Sequence, residues 1–230
     1  MTGGSHEVTL RQGVAALGLS LSDGQITQLL SYHALIQKWN KVYNLTAIRD
    51  PAEMLTHHLL DSLAIIAPLR IRLAGLAYER DGANDAAFEP YLYRLLDVGA
   101  GAGLPGVVIA ICCPDIHVTC VDAVAKKMAF VQQVATELKL PNLQALHARV
   151  ETLTQKYDII TSRAFATLLD FVTGSQAALA SKTGIWLAMK AKDTATEAAN
   201  LPPSVDVFHV EQLIVPGLDA ERCIVWMRQT

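Results

Sequence analysis

A glycine-rich run near the middle of the sequence is the feature best suited to binding a ligand. It reads Asp97-Val98-Gly99-Ala100-Gly101-Ala102-Gly103-Leu104-Pro105-Gly106 and begins at the end of a short apolar segment typical of a strand. Glycine adopts positive φ without strain and lacks the Cβ that keeps a ligand away from the backbone. A helix predicted to begin at Leu104-Pro105 adds free N–H groups that attract a carboxylate or a phosphate. The run predicts a cofactor-binding loop made by Gly99, Gly101, Gly103 and Leu104, with an ordinary tight turn as the alternative.

Two acidic residues bear on which cofactor this loop holds. The run from Gly101 to Gly106 satisfies the dinucleotide pattern G-x-G-x-x-G, so NAD and S-adenosylmethionine are both open. Asp97 lies just before the loop, where its charge repels a pyrophosphate and attracts the ammonium group of a methionine moiety. Asp122 ends the next predicted strand, where a carboxylate accepts the ribose hydroxyls of either cofactor. Asp97 therefore favours S-adenosylmethionine, while capping of the strand end competes with ribose binding as the interpretation of Asp122.

The composition is that of a compact globular protein. The 230 residues are 51% hydrophobic and 18% charged, which suffices for one substantial core. The formal net charge of -3 argues against a uniformly positive surface, so any RNA site must be a local patch. The four cysteines lack the spacing of zinc ligands, and no metal site is expected. Since no leader or membrane-length apolar run is present, we expect a cytoplasmic protein, and nothing in the sequence demands more than a monomer.

The first 69 residues carry a helical pattern. Apolar residues recur at helical spacing, with Asp23 and Asp50-Pro51 as helix starts. Between residues 70 and 93 the pattern breaks into Gly, Asn, Asp and Pro among small residues, which is typical of a flexible connection. We therefore expect an N-terminal helical subdomain over residues 1–69, a connecting insertion over residues 70–93 and a sheet domain over residues 94–230.

Short apolar runs then alternate with amphipathic segments, the pattern of β-α-β units and a parallel sheet. The predicted strands cover residues 95–98, 118–121, 143–146, 157–161 and 185–189, and the predicted helices begin at Leu104-Pro105 or cover residues 124–138 and 164–180. Two last strand-like runs, residues 205–215 and 222–228, flank a short turn and predict an antiparallel hairpin. The expected fold is an α/β, Rossmann-like class I S-adenosylmethionine-dependent methyltransferase sheet with this hairpin at its C-terminal end. A dehydrogenase would need a further substrate domain, so the hairpin favours the methyltransferase over that alternative.

Several segments outside the loop resemble one known family. They are Trp39-Asn40-Lys41-Val42-Tyr43-Asn44-Leu45-Thr46, Arg49-Asp50-Pro51, His58-Leu59-Leu60-Asp61-Ser62, Ala148-Arg149-Val150-Glu151, Ser162-Arg163-Ala164-Phe165-Ala166, Met189-Lys190 and Leu218-Asp219-Ala220-Glu221-Arg222. Together with the loop they resemble the small-subunit ribosomal RNA methyltransferase G family, also called glucose-inhibited division protein B. The resemblance covers nearly the whole chain. It implies methyl transfer from S-adenosylmethionine to N7 of a specific guanine in 16S ribosomal RNA, with that RNA or the small ribosomal subunit as partner.

The resemblance also implies roles for individual residues. Cofactor contacts are expected at Gly99, Leu104, Val150, Glu151 and Arg163, with Asp122 at the ribose. No side chain is expected to act as an acid or base, because guanine N7 is already nucleophilic and the reaction needs alignment above all. Arg163 is therefore expected to position the cofactor or the guanine, with a surface salt bridge as the alternative. A helix-starting surface acid is the alternative for Glu151.

Four cationic residues are candidates for RNA binding. Lys126 and Lys127 begin a helix, where the helix dipole opposes their charge, so an external phosphate is expected there. Lys190 and Arg222 follow from the resemblance. Trp39, Tyr43 and Phe165 are possible stacking partners for a flipped base, although core packing is the favoured interpretation for the first two.

Three features depart from the family pattern: a longer connection over residues 70–93, Lys127 in place of an arginine, and Ala191 in place of a glycine. They bear on the RNA contacts and not on the reaction. Two alternative functions remain open from the sequence. One is a methyltransferase that acts on another substrate with the same fold, and the other is a non-catalytic ribosome-binding factor.

Overall fold

A single sheet of seven strands organises the part of the chain that the computed structural model describes, residues 3–80, 92–164, 167–180, 183–191 and 194–230. The strands are β1 Tyr93–Val98, β2 Ile116–Asp122, β3 Leu143–His147, β4 Ile159–Arg163, β5 Ile185–Lys190, β6 Val205–Leu213 and β7 Arg222–Gln229. Their order is β3-β2-β1-β4-β5-β7-β6. The first five are parallel, and β7 runs antiparallel to both β5 and β6. The predicted α/β class and the C-terminal hairpin are confirmed.

The helices cover both faces of this sheet. They are α1 Gly3–Ala16, α2 Asp23–Tyr43, α3 Pro51–Met54, α4 Asp61–Leu63, α5 Ile66–Arg80, α6 Gly106–Cys112, α7 Ala125–Glu137, α8 Leu168–Ser175 and α9 Ala195–Ala199, with a π-helical turn at Leu55–Leu60 and 3-10 turns at Val150–Thr152 and Gln176–Ala178. The N-terminal ones begin where capping residues stand. Ser22 and Gln25 form a capping box at the start of α2, and the Asp50 carboxylate accepts the first free N–H groups of α3.

The predicted flexible connection is wrong over residues 70–80, because α5 continues through them. Leu69 and Leu73 lie four residues apart on its buried face, and this packing outweighs the weak helix propensity of Gly75. A Cβ on Gly75 would meet nothing within 4 Å, so the glycine lies on the open side of the helix. The next part of the predicted connection, residues 81–91, lies outside the described residues, and Tyr93 already belongs to β1.

Two other predicted boundaries differ from the structure. The helix expected over residues 164–180 begins only at Leu168, because Thr167 and Asp170 form its capping box and Ala164 has a left-handed φ of 52°. The strand expected over residues 157–161 is β4, which lies two residues later, while Tyr157 makes an isolated bridge with Leu179. The first shift follows from a local cap, and the second follows from backbone hydrogen bonds of Tyr157 to Ala178 and Ala180. Hydrophobic periodicity registers neither. The second shift makes Arg163 the last residue of β4.

The N-terminal helices share one hydrophobic core with the sheet. Helix α2 packs against α6 and α7, and α4 packs against α6. Two glutamines of α2 also donate across this contact, Gln25 to the carbonyl oxygen of Ile111 at 2.9 Å and Gln28 to that of Leu138 at 3.0 Å. The opposite face of the sheet has a second core, built around Phe171 and Trp186. The division into a subdomain over residues 1–69 and a sheet domain over residues 94–230 remains a prediction.

This shared core predicts that a chain truncated to residues 70–230 does not fold cooperatively. Removing α2 exposes the apolar faces of α6 and α7 that it covers, and each fully buried aliphatic side chain contributes about 1.5–3 kcal/mol. Thermal unfolding followed by circular dichroism, with the full chain as control, tests the prediction. A cooperative transition with native near-ultraviolet signal in the truncated chain would contradict it.

Candidate active site

The glycine loop is fastened to the carboxyl ends of β1 and β2. The N–H groups of Gly99 and Ala100 donate to the carbonyl oxygen of Val121 at 2.9 and 3.2 Å, and that of Gly101 donates to Oδ2 of Asp122 at 3.1 Å. The sheet order changes direction between β1 and β4, and ligands of open α/β sheets bind beyond the strand ends at such a point. The loop therefore lies where this fold class binds cofactors.

The glycines of the loop serve different purposes. Gly99, Gly101 and Gly103 have φ of 64°, 59° and 88°, all left-handed. A Cβ on Gly101 would come no closer to any atom than 3.9 Å, to the carbonyl oxygen of Gly99, so Gly101 borders open space. A Cβ on Gly103 would lie 2.5 Å from Cγ2 of Val107, so Gly103 is required by packing inside the protein. Leu104 is also buried.

Asp97 is a completely buried carboxylate beneath the loop. Its Oδ2 accepts a hydrogen bond from the N–H of Gly106 at 2.8 Å, and a Cβ on Gly106 would lie 2.8 Å from that same oxygen. Its Oδ1 has no hydrogen-bond partner among the described residues. Burial raises the pKa of Asp97 to about 7, although the Gly106 N–H and the charge of Arg163 act to lower it. A buried carboxylate with one oxygen to spare is suited to a cationic group.

Asp122 both caps its strand and remains able to accept a ligand. Its Oδ1 accepts from the N–H of Val124 at 2.9 Å, and its Oδ2 accepts from Gly101 and from the Lys127 ammonium at 3.3 Å. The capping interpretation is therefore part of its role. A carboxylate has about four lone-pair positions, which leaves room for a ribose hydroxyl. Lys127 thus has an internal counter-charge as well, and its contact with an RNA phosphate stays a prediction.

Val150 and Glu151 lie in the 3-10 turn that follows β3, beside the strand that carries Asp122. Val150 is buried in the second core, and Glu151 is exposed. This turn is therefore at the same edge of the sheet as the glycine loop, one strand further from β1.

Arg163 belongs to a buried ion cluster that connects three distant segments. Its Nη1 donates to Oδ2 of Asp61 at 2.9 Å and to the carbonyl oxygen of His57 at 2.8 Å. Arg222, the first residue of β7, donates from Nε to the other oxygen of Asp61 at 3.0 Å. The side chain of Asp61 is 3% exposed, against 18% for Arg163 and 22% for Arg222. Arg163 is thus paired, but not on the surface.

Asp61 was not predicted as a site residue and was named only as part of a family segment. Its position among the apolar residues from Leu59 to Leu63 could have indicated a buried ion pair, since a buried acid is rare unless it is paired. Its partners stand more than 100 residues further along the chain. The pairing is therefore invisible to an analysis of local pattern.

His58 supports the cluster from the N-terminal side. Its Nδ1 lies 3.4 Å from Nη2 of Arg163, and its Nε2 lies 2.8 Å from Oγ1 of Thr46. Burial and the charge of Arg163 lower the pKa of His58 to about 4. A neutral ring accepts from Arg163 at Nδ1 and donates to Thr46 from Nε2, so His58 is a structural link and does not extend a basic surface patch.

The other cationic and aromatic candidates differ in whether they are exposed or already have partners within the protein. Lys126 is exposed at the start of α7, whereas the Lys190 ammonium pairs with Glu197 at 2.8 Å. The Trp39 ring packs 5.3 Å from that of Phe130 and against the core, as predicted. The Tyr43 ring, 5.0 Å from that of Trp39, is 40% exposed, so the core-packing interpretation is wrong for Tyr43. Phe165 lies outside the described residues.

The described ranges contain no group of three or more His, Cys, Asp or Glu side chains arranged to hold a metal ion. None of their helices is long and apolar enough to span a bilayer.

Comparisons with known proteins decide the family. The family model described as rRNA small subunit methyltransferase G matches residues 25–72 and 85–225. The chain belongs to this family. Family members named ribosomal RNA small subunit methyltransferase G include one from Albidiferax ferrireducens, 66% identical over 224 residues and 97% of each chain. One from a Polaromonas species is 62% identical over 228 residues, 99% of this chain and 95% of the relative.

The family model leaves residues 73–84 unmatched. Among solved structures, TrmN from Thermus thermophilus matches with a TM-score of 0.52 and 17% identity, over 76% of this chain and 53% of that chain. At this identity the match supports the fold alone.

The ion cluster generates a stability prediction. Asp61→Asn leaves two arginines without their shared buried counter-charge, and we expect it to lower the free energy of unfolding by about 3–5 kcal/mol. The matched control is Asp206→Asn, which breaks the exposed pair with Arg228 and should cost about 1 kcal/mol or less. Urea unfolding measures both, and equal losses in the two variants would show that Asp61 is not a buried anchor.

Proposed function

We propose that this chain transfers a methyl group from S-adenosylmethionine to N7 of a specific guanine in small-subunit (16S) ribosomal RNA. Its family is that of the rRNA small subunit methyltransferase G enzymes, and the match spans nearly the whole chain. The observation that carries the cofactor assignment is the unpartnered Oδ1 of Asp97 under the glycine loop. Its partner RNA is that of the small subunit, free or assembled, and we expect a cytoplasmic monomer.

The residues at the sheet edge fit the cofactor. Asp97 offers a buried acceptor for the ammonium group of the methionine part, and the open side of Gly101 lets a ligand approach the backbone. Asp122 would accept the ribose hydroxyls, and the turn containing Val150 and Glu151 would border the adenine. Gly99 shapes the loop through its left-handed conformation, while Gly103 and Leu104 support the loop by packing inside the protein. A dinucleotide fits less well, because its pyrophosphate would face the carboxylate of Asp97.

When bound, S-adenosylmethionine supplies a methyl group on a positively charged sulfur. The chain's contribution is alignment, since guanine N7 attacks without a general base. Arg163 stands at the end of β4, close enough to Asp97 to affect its pKa, and its ties to Asp61 and His57 hold the guanidinium in one orientation. Arg163 therefore acts as a positioning residue for the cofactor or the guanine.

The cationic side chains best suited to RNA are those whose charge is not balanced by an anion within the protein. Lys126 is exposed, and of the four candidates it is the one best placed to meet a phosphate. The remaining three have internal anions, Asp122 for Lys127, Glu197 for Lys190 and Asp61 for Arg222. Among these, Arg222 shares one carboxylate with Arg163, so the two arginines carry an excess positive charge at the carboxyl edge. That excess suits an RNA phosphate.

Methyl transfer itself tests the proposed reaction. Purified protein is incubated with S-adenosylmethionine carrying a tritiated methyl group, and with either naked 16S RNA or small subunits from cells that lack the modification. We expect labelled RNA that releases 7-methylguanine on hydrolysis. Label on another base or on protein would identify a methyltransferase of a different substrate, and RNA binding without transfer would identify a non-catalytic ribosome-binding factor.

The buried carboxylate also predicts a pH dependence of cofactor affinity. The ammonium group binds the ionised form of Asp97, whose pKa is about 7, so affinity should fall as the pH drops through 7, about tenfold per pH unit at its steepest. Titration calorimetry between pH 5.5 and 7.5 measures this, since His58, with a pKa of about 4, stays neutral throughout. Asp97→Asn should bind weakly at every pH. Equal pH dependence in the variant would assign the effect to another group.

A further inference from the structure

A tyrosine of the N-terminal helix α2 reaches into the glycine loop. The hydroxyl of Tyr32, which is completely buried, donates to the carbonyl oxygen of Ala102 at 2.6 Å. Ala102 stands between Gly101, which borders the open side of the loop, and Gly103, which faces the interior. The contact joins residues 70 positions apart in the sequence. With those of Gln25 and Gln28, it is the third side-chain hydrogen bond from α2 to the sheet domain.

The surroundings of the tyrosine fix its position. Its ring stacks on that of Phe130 in α7 with the centroids 6.4 Å apart, and a Cβ on Gly103 would lie 3.4 Å from its hydroxyl oxygen. Burial raises the pKa of the Tyr32 hydroxyl well above its usual value. The hydroxyl therefore stays protonated, and remains a donor, at neutral pH.

A loop of this kind needs external anchors. Three left-handed glycines provide few side-chain contacts of their own, and a loop that is ordered before the ligand arrives binds it more tightly. Asp122 anchors the loop at Gly101, and Asp97 anchors the helix start at Gly106. Tyr32 holds the peptide group between Ala102 and Gly103, from the side opposite the open space.

We propose that Tyr32 is a positioning residue for the cofactor loop, through its hydrogen bond to the Ala102 carbonyl. On this view the N-terminal helix contributes to cofactor affinity although it lies outside the methyltransferase sheet. The proposal rests on the cofactor site proposed above, and its test separates the two.

The chain offers a matched pair of variants. Tyr93 is also buried, and its hydroxyl donates to the backbone carbonyl of Leu73 at 2.9 Å, but it stands at the amino end of β1, away from the loop. Tyr32→Phe and Tyr93→Phe thus each remove a buried hydrogen bond to a backbone carbonyl and keep the ring. Both should show a similar, modest loss of stability in urea.

Two readouts then distinguish positioning from general stability. Without cofactor, the amides of Gly103 and Leu104, which donate to Ala100, should exchange with deuterium about fivefold faster in Tyr32→Phe than in the wild type. In calorimetry, the dissociation constant for S-adenosylmethionine should rise about fivefold in Tyr32→Phe. Tyr93→Phe should match the wild type in both measurements.

The outcomes are separable. If the wild type binds S-adenosylmethionine and both variants bind it equally well, with unchanged loop exchange, the proposed role of Tyr32 is overturned. If the wild type does not bind the cofactor, the proposed function fails, and the exchange rates still decide whether Tyr32 orders the loop. Faster exchange confined to Tyr32→Phe, together with weaker binding, supports the proposal.

Discussion

The close contact between the end of β1 and the start of α6 is the constraint on which this structure depends. The carboxylate of Asp97 fills the gap and accepts the N–H of Gly106, and no larger residue than glycine fits at that position. This contact sets the direction in which the glycine loop leaves the strand. It also removes the carboxylate from water, which raises the pKa of Asp97 and leaves one oxygen to attract a cationic ligand. Packing and chemistry are therefore consequences of one contact.

A second buried carboxylate, that of Asp61, holds several segments together at the carboxyl edge of the sheet. Asp61 lies in the N-terminal helices but pairs with Arg163 at the end of β4 and Arg222 at the start of β7. It thereby connects the helices, the parallel strands and the hairpin at one point. Because breaking a buried pair leaves uncompensated charge, such a junction fixes the relative positions of its segments. The N-terminal helices are thus joined to the carboxyl edge of the sheet by this cluster.

The features that the sequence predicted are those with a local signal. Five parallel strands, the hairpin and the glycine loop follow from hydrophobic period and from residues within ten positions of each other. The misjudged stretches depend on interactions that hydrophobic period does not register: α5 runs through Gly75 with Leu69 and Leu73 packed in the core, and α8 begins late because Thr167 and Asp170 cap it. Tyr32 and Asp61 escaped notice because their partners are distant in sequence. The ion pair of Lys127 with Asp122, at the end of β2, was likewise not predicted.

The central claim is that the free oxygen of Asp97 holds the ammonium group of the cofactor's methionine part. The most direct measurement is a crystal structure of the chain with S-adenosylhomocysteine, which has the same amino group. The account predicts that the amino nitrogen lies about 2.7–3.2 Å from Oδ1 of Asp97, with the ribose hydroxyls on Asp122. A complex in which this nitrogen is bound elsewhere, and Oδ1 stays buried without a partner, would contradict it.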